Sequence, residues 1–355
     1  MKIIIRNCNV AELDIPLKYA TKLYNEFAIR HPNAFYLRTR QRGMQNWDGK
    51  IKYITKTGQF KIGLLPSVYK RCIELGIKPI IVDMRQPLPK VSKVVTQIGK
   101  YKLRPEQEKA VKAILSNKLG ETPFQIGVLD YTVNAGKTLI MSALYLSYKK
   151  QLKTLLITND SDWLNQARDE FKQYLPGEDI TFVQGKVLNW SNFTIGMVQS
   201  ISRNMKYYQN ELAKIDMVLI DEADQGGSKQ YQNVITRLFN TRVRIGLSGT
   251  IYMSKLAKDK VKNMNLRCFF GDVIAEFKLK DSIKKGYSTK TIVKTVEGKP
   301  WFGNWESDCM SYNEIYDDSI THNKIAWTMA LDRLKWNLNQ GRYPALVVCK
   351  HIAHC

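Results

Sequence analysis

The strongest constraint on the fold is a series of short, almost wholly apolar runs: Gln125–Asp130, Thr154–Thr158, Ile180–Val183, Thr194–Gln199, Met217–Ile220 and Val243–Leu247. Helical stretches separate most of them, at Lys137–Lys150, Asp162–Tyr174 and Ser228–Phe239. A further helix is expected from Pro105, a residue suited to the first helical position, to about Asn117. Strands that are apolar on both sides must be covered on both faces, so the alternation predicts an α/β fold built on a parallel sheet. In such sheets ligands gather at the carboxyl ends of the strands. That is the end at which the polar motifs of this chain fall.

The first of them is Leu129–Thr138, LDYTVNAGKT, a strand that breaks into a loop and opens a helix. This is the context of a phosphate-binding loop. Main-chain N–H groups of Asn134, Ala135 and Gly136 and the helix N-terminus would hold phosphate, Lys137 would reach the outer phosphates, and Thr138 would ligate Mg²⁺. The pattern departs at Tyr131, which stands where a phosphate loop has its first glycine. Alone, Gly136-Lys137-Thr138 would also suit an ordinary turn. The second motif weighs against that: Met217–Ile220 delivers Asp221-Glu222-Ala223-Asp224 at its carboxyl end. Asp221 would hold Mg²⁺, and Glu222 would orient and deprotonate an attacking water. Leu247-Ser248-Gly249-Thr250 forms a third strand end, where Ser248 and Thr250 could bond to the acidic segment and relay nucleotide state. Upstream, Leu103-Arg104-Pro105-Glu106-Gln107 offers Gln107, whose amide can both donate to and accept from an adenine edge.

Charge points to the partner. The chain carries 55 Lys+Arg against 32 Asp+Glu, a net +23. Residues 1–100 hold 19 basic and 6 acidic residues, so +13 of the excess lies there. A field of that size attracts polyanions. No amphipathic basic helix, lipidation signal or 18-residue apolar stretch favours a membrane instead. Cys8, Cys72, Cys268, Cys309, Cys349 and Cys355 include no C-x-x-C pair, which speaks for a reducing compartment and a cytoplasmic protein. In the basic region, residues 3–10 read as a strand and Pro16–Phe27 as an amphipathic helix. Around Asp48-Gly49, alternation on both sides predicts two paired strands. They would set Arg38, Arg40, Lys50 and Lys52 on one face with Trp47 nearby, suited to tracking a phosphate backbone. Residues 85–100, with Pro87 and Pro89, read as a linker.

LRPEQ, NAGKT, DEAD and LSGT, in this order and spacing, resemble the first motor domain of superfamily 2 helicases. LRPEQ looks like the duplex-DNA translocases rather than the DEAD-box RNA helicases. Asn46–Ile51, Gly63–Leu65 and Lys350–His354 extend the resemblance to the UvsW-like phage helicases over nearly the whole chain. It implies a RecA-like ATPase domain at 101–285, preceded by a small α+β duplex-binding domain at 1–84 and followed by the start of a second RecA-like domain at 286–355. It implies ATP and Mg²⁺ as cofactors and remodelling of branched or forked double-stranded DNA, including fork regression, branch migration and R-loop removal. By the same resemblance Gln199 and Ser200 touch DNA, recombination proteins are partners, and the chain works as a monomer in the cytoplasm of an infected bacterial host. The readings that compete are an RNA helicase and a non-catalytic duplex-binding protein with a vestigial ATPase.

The family completes its ATP site with arginines from the second motor domain, and none is recognisable after Ala345–Cys349. The sequence is therefore expected to be part of a longer helicase, and these 355 residues alone to bind nucleotide and DNA with very slow turnover. Lys299–Trp305, KPWFGNW, is expected either to pack as a loop or to stack on unpaired bases.

Overall fold

A computed structural model describes residues 1–40, 43–91, 93–184, 190–252, 259–290 and 324–341. Met1–Thr289 pack as one compact unit, and Lys290–Cys355 form a second, of which helix 324–339 is described. The expected aromatic loop at 299–305 and the strand at 345–349 lie outside the described residues.

The first unit opens with β1 (Lys2–Ile5), β2 (Val10–Asp14), helix α1 (Leu17–Glu26), β3 (Ala28–Arg30), α2 (Ala34–Arg40), β4 (Lys50–Lys52), β5 (Gln59–Lys61), α3 (Leu65–Glu74) and β6 (Ile80–Asp83). Strands β5, β2, β1 and β6 form a small mixed sheet, β1 antiparallel to β2 and parallel to β6. The expected single strand at 3–10 is thus a hairpin pair. A second correction concerns the basic segment. Residues 34–40 are helical rather than extended, and β4 pairs antiparallel with β3, setting Lys50 opposite Arg30. Alternation in YLRTR suggested a strand, but this short helix buries Ala34, half-buries Leu37 and turns its other residues to solvent.

Two-residue ribbons follow, β7 (Gln97–Ile98) with β8 (Tyr101–Lys102) and, after α4 (Pro105–Ser116), β9 (Lys118–Leu119) with β10 (Thr122–Pro123). The main sheet then builds from β11 (Ile126–Tyr131), β12 (Thr154–Thr158), β13 (Ile180–Val183), β14 (Phe193–Met197), β15 (Met217–Asp221), β16 (Val243–Ser248) and β17 (Val273–Phe277). It has seven strands in the order β13-β14-β12-β15-β16-β11-β17, every neighbouring pair parallel. This is the RecA-like fold. The crossover helices are α5 (Lys137–Ser147), α6 (Ser161–Tyr174), α7 (Val198–Arg203), α8 (Met205–Leu212), α9 (Lys229–Ile235) and α10 (Asp259–Phe270), with α11 (Leu279–Lys284) closing the unit. The predicted strand at 194–199 ends at Met197, where α7 begins. Edge strand β17 was not expected from the sequence.

One apolar core, containing α4, α5 and α6, covers one face of the sheet. The other face shares a continuous core with the small N-terminal sheet, from Ile3, Ile5 and Leu65 through Ile126 and Ile220 to Phe270. The join is close. A Cβ on Gly63 would lie 2.2 Å from the Arg267 carbonyl oxygen on α10, so only glycine fits there. Arg244 of β16 is fully buried at the same join, donating to the Cys8 carbonyl at 2.7 Å, Asn9 Oδ1 at 2.8 Å and the Phe269 carbonyl at 3.2 Å. Burial pulls its guanidinium down to about 10, which still leaves it charged at neutral pH. Arg244→Met would strand three buried acceptors at roughly 1–3 kcal/mol each. We expect it to lower unfolding free energy by about 3 kcal/mol or more, read as a shift in urea midpoint; an unchanged midpoint would exclude the pinning role. Among the described residues Cys8, Cys72 and Cys268 are buried and unbridged, and no helix is long and apolar enough to cross a membrane.

Candidate active site

The carboxyl ends of β11, β15 and β16 bring the first three motifs together. β11 is buried along its length and ends at Tyr131, which explains the departure from the phosphate-loop pattern. Tyr131 belongs to the strand, its ring is fully buried, and its hydroxyl donates to the Glu106 carbonyl at 2.8 Å. Burial pushes that phenol up to about 12, so it is a neutral anchor rather than a participant. The turn proper begins at Thr132. Asn134 (φ 60°) and Gly136 (φ 72°) both take left-handed backbone conformations. A Cβ on Gly136 would also lie 2.3 Å from Gln107 Nε2, so any side chain there would push the Gln107 amide off the loop it holds.

The LRPEQ segment clamps the loop from behind. Arg104 Nη2 donates to the Asn134 carbonyl at 3.1 Å, and Gln107 Nε2 donates to the Ala135 carbonyl at 2.9 Å. Gln107 Oε1 accepts from the Arg104 main-chain N–H at 2.8 Å, capping α4. Gln107 is 3% exposed and already bonded at both ends of its amide, so in this state its visible work is to fix the loop.

Lys137 opens α5, and its ammonium lies 3.5 Å from Asp221 Oδ1 at the end of β15. Thr138, also buried, follows it. Burial raises the Asp221 carboxyl above the ordinary range while Lys137 pulls it back. Oδ1 has no hydrogen-bond donor, an orphaned buried acceptor. Such an oxygen fits a Mg²⁺ site, because Mg²⁺ is commonly held by one or two carboxylates and completed by phosphates and water. Among the described residues no cluster of three His, Cys, Asp or Glu could hold a metal unaided.

Glu222 is exposed and has a left-handed backbone (φ 52°), a conformation costing about 1–3 kcal/mol for a non-glycine residue. Partial burial, then the charges of Asp221, Asp224 and Asp160, raise its carboxyl above the usual glutamate value. Ser248 Oγ donates to Asp224 Oδ1 at 2.8 Å and accepts from the Thr250 N–H at 3.1 Å, so the third motif is bonded to the second.

A residue the sequence did not flag, Gln225, extends this site. Its Nε2 donates to Glu222 Oε2 at 3.1 Å, while its Oε1 accepts from the Asn159 side chain. The Asn159 carbonyl accepts in turn from Gln199 Nε2 at 3.3 Å. Hydrogen bonds therefore link the exposed glutamate to the β12 and β14 strand ends, where Gln199 and Ser200 start α7. Nothing in the local pattern distinguishes Gln225, because the partner that ties it into the site, Asn159, comes from the end of another strand.

The basic residues are dispersed. Arg38 and Arg40 are exposed on α2, and Lys50 is exposed on β4. Lys52 is engaged, 3.2 Å from Asp48 and over the Tyr24 ring at 4.6 Å. Trp47 donates its indole N–H to the Lys50 carbonyl at 3.0 Å. Arg30, opposite Lys50, is a further exposed cation that sequence reading missed; the register supplies it.

Residues 100–253 match the family described as "Type III restriction enzyme, res subunit". The chain is 23% identical over 338 residues to the ATP-dependent DNA helicase UvsW of Enterobacteria phage T4, covering 87% of this chain and 62% of that protein. A mimivirus protein, named as a candidate ATP-dependent RNA helicase of Acanthamoeba polyphaga mimivirus, is 26% identical over 147 residues, 41% of this chain and 27% of its own length. The chain thus spans less than two thirds of either relative. Among solved structures, a crystal structure of the bacteriophage T4 UvsW helicase superposes with a TM-score of 0.61 at 21% identity, covering 78% of this chain and all of that one.

Proposed function

We propose that this UvsW-like chain is the ATP-hydrolysing part of a DNA translocase that remodels branched or forked duplexes. One observation carries the reading: the loop ammonium of Lys137 and the buried carboxylate of Asp221 face each other at 3.5 Å where parallel strands end. The loop N–H groups and Lys137 hold the ATP phosphates, and Arg104 and Gln107 keep that loop in shape. Asp221 and Thr138 would hold Mg²⁺, which when bound offsets charge developing on the phosphates. Glu222 orients a water toward the terminal phosphoryl group and takes its proton. Ser248 and Thr250, bonded to Asp224, carry the change of nucleotide state outward. In this reading residues 1–84 grip duplex, 85–100 connect, 101–285 hydrolyse ATP, and 286–355 begin a second motor domain; the enzyme works as a monomer, with recombination proteins as partners, in the host cytoplasm.

The test is hydrolysis of ATP by the full-length protein with and without forked DNA, beside unwinding of an RNA duplex of equal stability. DNA stimulation with fork unwinding supports the reading; preference for the RNA duplex would replace it with the RNA-helicase alternative.

A base must be unprotonated to accept a proton, and the Glu222 carboxyl is raised by partial burial and three neighbouring carboxylates. The rate is thus expected to fall as pH drops, through a midpoint above the ordinary glutamate value of about 4.3. A pH–rate profile whose acid limb sits at or below that value would remove Glu222 from the role. Changing Arg38, Arg40 and Lys50 together to Ala should weaken duplex binding and flatten its salt dependence, by about 0.9 in log–log slope for each phosphate left unneutralised. An unchanged slope would locate the grip elsewhere.

A further inference from the structure

Helix α2 carries more than cations. Phe35 is 81% exposed, the highest value among the large apolar side chains described, and its neighbour Tyr36 is 53% exposed. The helix is anchored from beneath. Ala34 is buried, and a Cβ on Gly49 would come within 3.0 Å of the Ala34 Cβ. The single Thr39 hydroxyl proton is shared between the Phe35 and Tyr36 carbonyls, 3.1 and 3.0 Å from Oγ1, in the turn that carries both rings. The Arg40 guanidinium lies 4.9 Å from the Tyr36 ring centroid.

The surroundings select the partner. From Ala28 to Trp47 the sequence has no Asp or Glu and four arginines, Arg30, Arg38, Arg40 and Arg42. Three of them, Arg30, Arg38 and Arg40, form no ion pair with a described residue. Exposed rings beside cations without a carboxylate partner suit a ligand that is both flat and anionic, since bases stack on rings while phosphates meet guanidinium groups. An open cleft of about 570 Å³ runs from His31–Asn33, just before α2, to Asp224, Gln225 and Ser228 beside the acidic motif. The segment that leads into α2 thus borders the acidic motif across this cleft.

We propose that Phe35 and Tyr36 form a stacking platform for unpaired nucleobases, so that the basic N-terminal region distinguishes single-stranded or forked DNA from intact duplex. This rests on the DNA-translocase reading and adds what that reading lacks, a means of sensing unpaired strand.

The test measures fluorescence anisotropy of the full chain on a blunt duplex, the same duplex with a single-stranded fork, and a single strand carrying 2-aminopurine. Phe35→Ala/Tyr36→Ala should weaken fork and single-strand binding at least tenfold, leave blunt-duplex affinity within twofold, and abolish 2-aminopurine quenching. Phe35→Trp/Tyr36→Ala should restore quenching lost in the double alanine variant, and circular dichroism should show all variants folded, as expected for exposed positions. Arg38→Ala/Arg40→Ala should weaken binding to all three DNAs. Equal losses on duplex and fork, or no loss on any DNA, would overturn the platform while leaving the duplex grip intact. Unchanged DNA binding with loss of self-association in sedimentation would overturn it in favour of a protein interface. If the unaltered chain binds none of the DNAs, the translocase reading fails and the platform with it.

Discussion

Lys137→Ala should leave a folded protein whose DNA-stimulated ATP hydrolysis is lower by roughly 10²–10³-fold, the loss typical when one preorganised transition-state stabiliser is removed. The ammonium is placed by the first turn of α5 and shares the site with a buried carboxylate, so alanine removes both the phosphate contact and the partner of Asp221. The second loss has its own signature. Burial already raises the Asp221 carboxyl, and Lys137 is the main group pulling it down. Without the lysine the folded-state pKa rises further above its unfolded value. The folded chain then binds the proton more tightly than the unfolded chain does, so stability is gained as pH falls through the folded pKa and lost as pH rises through it. Relative to wild type, the variant should therefore gain melting temperature on mild acidification. Equal ATPase rates in variant and wild type would sink the motor reading and favour a duplex-binding protein with a vestigial site.

Glu222→Gln is expected to lower turnover by about 10²–10⁴-fold, the usual contribution of a positioned general base, while leaving ATP affinity nearly unchanged. Glutamine keeps the size of the side chain and can still meet Gln225, but it cannot take a proton from water. The two substitutions are distinguishable because Lys137→Ala weakens nucleotide binding, whereas Glu222→Gln holds nucleotide without hydrolysing it. Titration with a fluorescent ATP analogue beside steady-state kinetics separates them. A Glu222→Gln protein that turns over at the wild-type rate would assign the base to another residue.

Much of the main sheet was legible because its strands are buried on both faces and so read as unbroken apolar runs. Thr154–Thr158 and Ile180–Val183 were placed to the residue, and Pro105 and Lys137 were placed correctly as helix starts. Edge strand β17 escaped notice, since one flank is partly open and its burial is broken by Val273 and Glu276. The N-terminal region misled for the opposite reason. Short elements there are fixed by tertiary packing, with Ala34 held against Gly49, so local alternation in Tyr36–Arg40 carried no information about the helix. At the site, residues in contiguous motifs could be named from sequence. Gln225 and Arg30 could not, because their meaning comes from residues brought in by other elements, Asn159 after β12 and Lys50 on β4.

The shared core, the Gly63 contact and the buried Arg244 have a mechanical consequence. A small domain hung on a flexible tether could swing, and would pass little force to what it holds. Here the small sheet and the main sheet are pinned by charge-assisted hydrogen bonds and close backbone approach, so tension on one is borne directly by the other. If the N-terminal region grips a polymer as proposed, it does so as the fixed jaw of a wrench and not as a loose hand, and its leverage is set by the stiffness of that join.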